Sequence, residues 1–281
     1  MKVGIVGAGT MGTGIAQAFA CVGGFSVELC DVDAQQAERG KAKVSAVLER
    51  LVSRQKICAE DAEKALAAIT TGVINAVADC DLVIEAALED INMKRELFAL
   101  LDAICKKGAI FATNSSSFSV AKIGKSLSRP VVGMHFFNPV HVMRLVEVIA
   151  PPGVPDSIVK TIKEIAERLG KTPVVVKDQS GFVVNRLLIP FINEAIGILA
   201  ENTASAADID TAMRLGANHP MGPLELADLI GLDICLALLN DFHNRLGEEK
   251  YKAQDLLKEM VAAGTLGRKS GKGFYEYEKS A

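Results

Sequence analysis

KVGIVGAGTMGTGIAQAFACVGG, residues 2–24, opens with a short β-branched run from Lys2 to Val6 that predicts a strand. Gly7-Ala8-Gly9-Thr10-Met11-Gly12 follows, and then a helix-forming segment closed by Gly23-Gly24. The glycines thus form a G-x-G-x-x-G between a strand and a helix, the context in which that motif carries meaning. Gly7 allows the tight turn, Gly9 lets the backbone approach a pyrophosphate, and Gly12 lets the helix pack closely on the strand. The helix N-terminus adds unpaired N–H groups and a positive dipole for the phosphates. The next strand, in FSVELCDVD, ends in Asp31, 19 residues after Gly12. A carboxylate there accepts hydrogen bonds from an adenosine ribose and repels a 2′-phosphate, so NAD is expected rather than NADP.

Outward from this unit, Ala34 to about Ile69 reads as helical, with Val44, Val47, Leu48 and Leu51 on one face and many basic residues on the other. It is longer than an ordinary crossover and predicts a helical excursion from the nucleotide-binding fold. Its basic side chains read equally as a solvated face or as a landing site for a phosphorylated ligand, with Arg54 and Lys56 as donors. Strands are expected in DLVIEAA, AIFATN, PVVGMHFF, RLVEVIA and PVVVKD, with helices over 93–105 and 157–169. Alternating strands and helices predict a Rossmann-type, doubly wound α/β sheet, mostly parallel, with ligands at the carboxyl ends of its strands. From about Gly181 the pattern turns all-helical, so the expected domains are 1–182, binding NAD, and 183–281, for substrate and dimerisation. The apolar content around residues 226–239 exceeds what one small helical domain hides, which predicts a symmetric homodimer through that domain. The closing GRKSGKGFYEYEKSA is expected to fold back on it, with only the last few residues frayed.

Composition narrows the function. With 281 residues, 49% of them hydrophobic and 23% charged, the chain should bury a substantial core. A formal net charge of −3 supplies no global field for nucleic acid or an anionic membrane. The six cysteines show no C-x-x-C pair and no clustering with histidine, so neither a metal site nor a disulfide framework is indicated. The chain opens directly on a strand with no leader pattern, and a cytoplasmic location is expected. The most apolar long stretch, 224–239, contains Glu225, Asp228, Gly231 and Asp233 and is expected as a buried or interface helix, not a membrane span.

The predicted carboxyl ends gather polar groups. Asn114 and a run of serines follow one strand; Glu85, Glu89 and Lys94 follow another. His135, in GMHFFNP, ends a third, and Glu147 sits in the middle of the next. Neighbouring strands can bring these two side by side. A carboxylate beside an imidazole fixes its tautomer and leaves the opposite ring nitrogen to transfer a proton.

GAGTMG, EDINMKRELF, NSSSF, GMHFFNPVHVMRLVEVI, SGFVVNRLLIPFINEA, NHPMGPLELADLIGLD and GRKSGKGFYEY, in this order, resemble the short-chain L-3-hydroxyacyl-CoA dehydrogenase family, in particular its bacterial 3-hydroxybutyryl-CoA branch. The resemblance implies an NAD-dependent oxidoreductase acting on a short-chain acyl-CoA. It makes His135 the general acid/base and Glu147 its orienting partner. The family's Asn-Thr-Ser-Ser motif, aligned on Asn114, assigns the substrate-oxygen contact to Ser116, although Ser115 replaces the threonine and Ser117 makes a third serine in the run. Asn185 is implied as a second contact to that oxygen. Gly7, Gly9, Met11, Gly12 and Asp31 are implied on the cofactor, with Glu89, Lys94, Asn114, Ser116 and Asn138 around its nicotinamide end. For coenzyme A, Arg54 and Lys56 are suggested by charge and position alone. Two alternatives stay open: a dehydrogenase of a free hydroxy acid, as in gulonate-type relatives, and a noncatalytic NAD-binding protein.

Overall fold

The computed structural model describes residues 1–278, and the frayed end expected for the last residues lies outside them. The chain divides into two compact units, Met1–Gln179 and the part from Ser180 onward.

The first unit is a doubly wound α/β sheet, as the alternation of apolar strands and helices predicts. Its eight strands are β1 (Lys2–Val6), β2 (Ser26–Cys30), β3 (Ile69–Gly72), β4 (Leu82–Glu85), β5 (Ile110–Thr113), β6 (Val131–Phe136), β7 (Leu145–Ile149) and β8 (Thr172–Val176), in the spatial order β3-β2-β1-β4-β5-β6-β7-β8. All neighbours are parallel except β6 and β7. Helices α1 (Thr10–Ala20), α2 (Ala34–Ser53), α3 (Ala59–Ala67), α4 (Ile91–Ile104), α5 (Val120–Ile123) and α6 (Asp156–Arg168) connect them. The apolar faces of α1, α2 and α6 bury Ile15, Phe19, Val44, Leu48, Ile162 and Ile165 in one core with Val3, Ile5, Val27, Leu29, Val132 and Val146 of the strands. Burial of apolar surface on this scale is the main force holding sheet and helices together.

The stretch expected to remain helical to about Ile69 is two helices and a strand. α2 stops at Ser53, Gln55 turns the chain with φ 56°, and the Cys58 sulfur accepts the Asp61 amide to start α3. Ile69 already belongs to β3, at the sheet edge.

The second unit is helical: α7 (Val184–Ala200), α8 (Ala206–Gly216), α9 (Pro223–Ile230), α10 (Leu232–Leu246) and α11 (Asp255–Ala262). Ile192, Ile196, Leu224, Leu232, Leu239 and Phe242 share its core. Two buried carboxylates, each 1% exposed, bind the chain's closing segment to it. Asp210 accepts the amides of Leu224 and Glu225 and the Tyr275 hydroxyl, at 2.7–2.9 Å. Asp228 accepts the amides of Phe274 and Tyr275 and the Tyr277 hydroxyl, at 2.9–3.0 Å. Among the described residues, no helix is long and apolar enough to cross a membrane.

Candidate active site

The carboxyl ends of β1, β2, β4, β5 and β6 carry most of the polar groups singled out above. At the end of β1, Gly7 has φ +109°, a left-handed conformation that glycine adopts without steric cost. At Gly12 a Cβ would lie 1.7 Å from the Gly7 carbonyl oxygen, so the helix and the turn approach each other only because that position has no side chain. Gly9 is exposed with open space where its Cβ would be, and Met11 is half-buried in the first turn of α1. Asp31, one residue past β2, accepts the Ala8 amide at 2.6 Å and the Val32 amide at 2.7 Å. Its carboxylate thereby holds the glycine turn in place, and it has no basic partner among the described residues. Beside it lies a cavity of about 320 Å³ whose walls include Val32, Ile74, Leu88 and Met93, with Asp31 and Lys94 supplying charge. Val32, Leu88 and Met93 are large apolar residues left exposed around that space, at 81%, 70% and 49%.

A second cluster joins β4, β5 and α4. Glu85 was expected at the rim; it is instead fully buried at the end of β4. One of its oxygens accepts Lys94 Nζ at 2.5 Å and the Ala87 amide at 2.8 Å, and the other accepts Thr113 Oγ1 at 2.6 Å. Lys94, itself 2% exposed, also reaches Glu89 Oε2 at 3.1 Å. Asp90 places it there by capping α4 through the amides of Asn92 and Met93. Glu89 Oε1 then gathers the serine loop, accepting the Ser115 hydroxyl at 2.5 Å, the Ser117 hydroxyl at 2.7 Å and the Ser116 and Ser117 amides at 3.2 Å. Burial alone pushes the Glu89 carboxyl up, but the Lys94 charge and the Ser115, Ser117 and Lys94 hydrogen bonds outweigh it and hold the group below its ordinary range. The Ser116 hydroxyl, half-buried, has no hydrogen-bond partner among the described residues.

The third cluster lies across the single antiparallel pair. His135 on β6 faces Glu147 on β7 directly in register, and Nδ1 meets Glu147 Oε2 at 2.9 Å. They are 5% and 1% exposed. The Phe137 ring lies 4.5 Å from the imidazole, centroid to centroid, and bounds it on one side. Asn114 Oδ1 accepts the Phe136 amide at 2.9 Å, which ties the serine loop to the end of the histidine strand. Asn138 is exposed in the connection beyond it.

Three remaining candidates lie apart from these clusters or in the other unit. Arg54 and Lys56 are exposed at and just beyond the end of α2, and neither has an ion-pair partner among the described residues. Asn185 is half-buried in the first turn of α7, in the second unit. Sequence reasoning missed Thr113, gave Ser115 no role beyond replacing the family's threonine, and misplaced Glu85. One signal was available: an acid ending an apolar strand, LVIE, must find a cation if the strand end is buried, and Lys94 is nine residues on. Among the described residues no group of three or more His, Cys, Asp or Glu side chains is arranged to hold a metal.

Comparison with known proteins fits this arrangement. Residues 2–179 match the NAD-binding domain of 3-hydroxyacyl-CoA dehydrogenase, and residues 181–277 match its C-terminal domain. A 3-hydroxybutyryl-CoA dehydrogenase of Clostridioides difficile is 47% identical over 284 residues, covering 99% of this chain and 100% of its own length. Another, from Bradyrhizobium diazoefficiens, is 45% identical over 279 residues, covering 98% and 95%. The crystal structure of (S)-3-hydroxybutyryl-CoA dehydrogenase from Ralstonia eutropha superposes with a TM-score of 0.95 at 45% identity, covering 99% of both chains. A nucleotide-binding turn, a buried histidine–glutamate pair and a helical second unit, matched along nearly the full length, leave one conclusion: the chain belongs to the 3-hydroxyacyl-CoA dehydrogenase family.

Proposed function

We propose that the protein interconverts a short-chain 3-hydroxyacyl-CoA and the corresponding 3-oxoacyl-CoA with NAD(H), and that 3-hydroxybutyryl-CoA and acetoacetyl-CoA are its working pair. The observation that carries the chemistry is the buried His135–Glu147 pair at the strand ends where the glycine turn also lies.

The residues present fit the cofactor. The turn at Gly7 to Gly12 and the N-terminus of α1 suit a pyrophosphate, and the apolar cavity beside Asp31 suits an adenosine whose ribose hydroxyls the carboxylate accepts. Asp31 also disfavours the 2′-phosphate of NADP. When bound as NADH, the cofactor supplies the hydride to C3 of the substrate. In that direction His135 gives a proton to the oxygen at C3, and in the other it takes one. Glu147 orients the imidazole and stabilises its charged form. Ser116 and Asn185 donate hydrogen bonds to the oxygen as it becomes negative. The choice of Ser116 over its neighbours is supported by the Ser115 and Ser117 hydroxyls both being directed to Glu89. Glu89, Lys94, Asn114 and Asn138 position the nicotinamide end, and Arg54 and Lys56 meet phosphates of coenzyme A.

The assembly is a homodimer through the helical unit, where Leu187, Leu215, Leu229 and Ile234 stand exposed on four different helices. Sedimentation at micromolar concentration tests it, and a monomer overturns it. Six free cysteines suit the cytoplasm, and the same equilibrium serves fatty-acid oxidation or butyrate formation according to metabolite ratios.

The deciding experiment follows NADH absorbance with purified protein and acetoacetyl-CoA, beside parallel reactions with NADPH, free acetoacetate and the His135→Ala variant. Rapid oxidation that requires NADH, the thioester and His135 is expected. Equal reduction of free acetoacetate would favour the hydroxy-acid alternative, and tight NADH binding without turnover the noncatalytic one.

A further inference from the structure

His135 and Glu147 meet only because β6 and β7 pair in one register, and a slip of one residue would turn Glu147 to the opposite face. Short hairpin loops set register through their own turn geometry. Here the connection runs from Phe136 to Leu145, too long for that, and most of its residues are exposed. Three contacts hold it from outside. Val140, 2% exposed, sits against α1, where a methyl at Gly14 would lie 2.8 Å from its Cγ2. Lys171, just ahead of β8, donates from Nζ to the Val140 carbonyl at 2.5 Å and to the Met143 carbonyl at 2.9 Å. The next residue, Thr172, donates its amide to the Arg144 carbonyl at 2.7 Å.

The Lys171 arrangement is unusual for a lysine. Its ammonium makes no ion pair among the described residues, and burial lowers its pKa from the ordinary lysine value. Partly burying a cation on two neutral carbonyls is costlier than leaving it in water. What the contact secures is the shape of the connection.

We propose that Lys171 is a positioning residue for the reaction: by holding the carbonyls of Val140 and Met143 it fixes the β6–β7 connection, and through it the alignment of Glu147 on His135 and the placement of Asn138. This rests on the role given above to His135 and Glu147. Lys171 acts through the backbone and touches no reacting group.

The test uses the full chain and the variants Lys171→Met, which keeps the aliphatic stem, and Lys171→Arg, which keeps donors for both carbonyls. Two readouts are taken: kcat and KM with acetoacetyl-CoA and NADH, and the NMR signal of the His135 Nδ1 proton directed at Glu147 in the unliganded protein. Lys171→Met is expected to lower kcat by roughly 10²-fold, the cost of misplacing a reacting constellation by about 1 Å. KM for the thioester should change far less, and the imidazole proton should move or disappear while the melt stays cooperative. Lys171→Arg should restore both readouts. A Lys171→Met protein with wild-type kcat and an unchanged imidazole signal would overturn the proposal. So would a loss of kcat with that signal unchanged. If the Met variant fails to melt cooperatively, Lys171→Leu, which likewise removes the donors, is read by the same criteria. Failure of the wild-type protein to reduce acetoacetyl-CoA would sink the functional reading instead, and the imidazole signal would still decide the role of Lys171.

Discussion

Glu85 and Glu147 both sit in strands of one sheet, 0% and 1% exposed, and each meets a basic side chain. Glu85 meets Lys94, which arrives from α4, directly after the same strand, and the remaining contacts of Glu85 go to Thr113 and the Ala87 amide. Glu147 meets His135 across the antiparallel pair. An ammonium keeps its charge throughout the physiological range, whereas an imidazole changes charge within it. The first pair can therefore position groups but not move a proton, and the second can accompany a proton transfer. Burial and a basic neighbour do not by themselves mark a catalytic carboxylate; the identity of the neighbour does.

This contrast can be broken experimentally. The largest effect is expected from His135→Ala, which should lower turnover of acetoacetyl-CoA by about 10²–10⁴-fold while NADH binding persists. Adding Glu147→Gln to it should cost little more, since the two act as a unit. Steady-state kinetics on the single and double variants measure both. Glu85→Gln should instead act on stability, costing up to about 3–5 kcal/mol in denaturant unfolding, because it leaves the buried Lys94 ammonium with only the more exposed Glu89 carboxylate as counter-charge. The double variant Glu85→Gln/Lys94→Met should recover much of that loss. A stable Glu85→Gln single variant, or a His135→Ala/Glu147→Gln protein more active than His135→Ala, would erase the distinction.

A third carboxylate sharpens it. Asp31 has backbone amides and no cation, which leaves acceptor capacity for ribose hydroxyls. Asp31→Asn should weaken NADH by about tenfold, the scale of one hydrogen bond to a charged group, and narrow the preference over NADPH. Titration with each cofactor checks this. The smallest effect concerns Glu89, which is 38% exposed in its side chain. Its carboxyl is held below the ordinary glutamate range, so its stabilising contribution is complete above that range and is lost as pH falls through the lowered value. Melting temperature should thus drop more steeply on acidification in the wild-type protein than in Glu89→Gln, and equal slopes would show that the serine loop does not depend on this charge.

The dinucleotide-binding half was legible because its signals are local: the strand, the glycine spacing and Asp31 lie within one stretch and need no tertiary information. His135 and Glu147 were legible as candidates because each stood out in an apolar strand. Their partnership depends on one antiparallel register in an otherwise parallel sheet, which no local pattern encodes. β3 escaped notice because ITTG is four residues at an edge, with a single buried member and no apolar run. The break between α2 and α3 has no proline or glycine to announce it; it uses a positive φ at Gln55 and a cysteine cap. Glu85 looked like a rim acid because the residues that bury it, Lys94 and Thr113, come from two other elements.

The two tyrosine-bearing strands of contact at the end of the second unit bear on how the protein is made. Asp210 and Asp228 lie in α8 and α9, yet part of what satisfies them comes from residues 274–277. During synthesis, domains fold in order from the N-terminal end. The sheet unit is complete in sequence about a hundred residues before the tyrosines emerge, and its assembly can run ahead of translation's end. Until residues 274–277 are free, Asp228 lacks the donors it takes from them and Asp210 has only the Leu224 and Glu225 amides, and during that interval the unit's apolar helices are the surface a chaperone would meet.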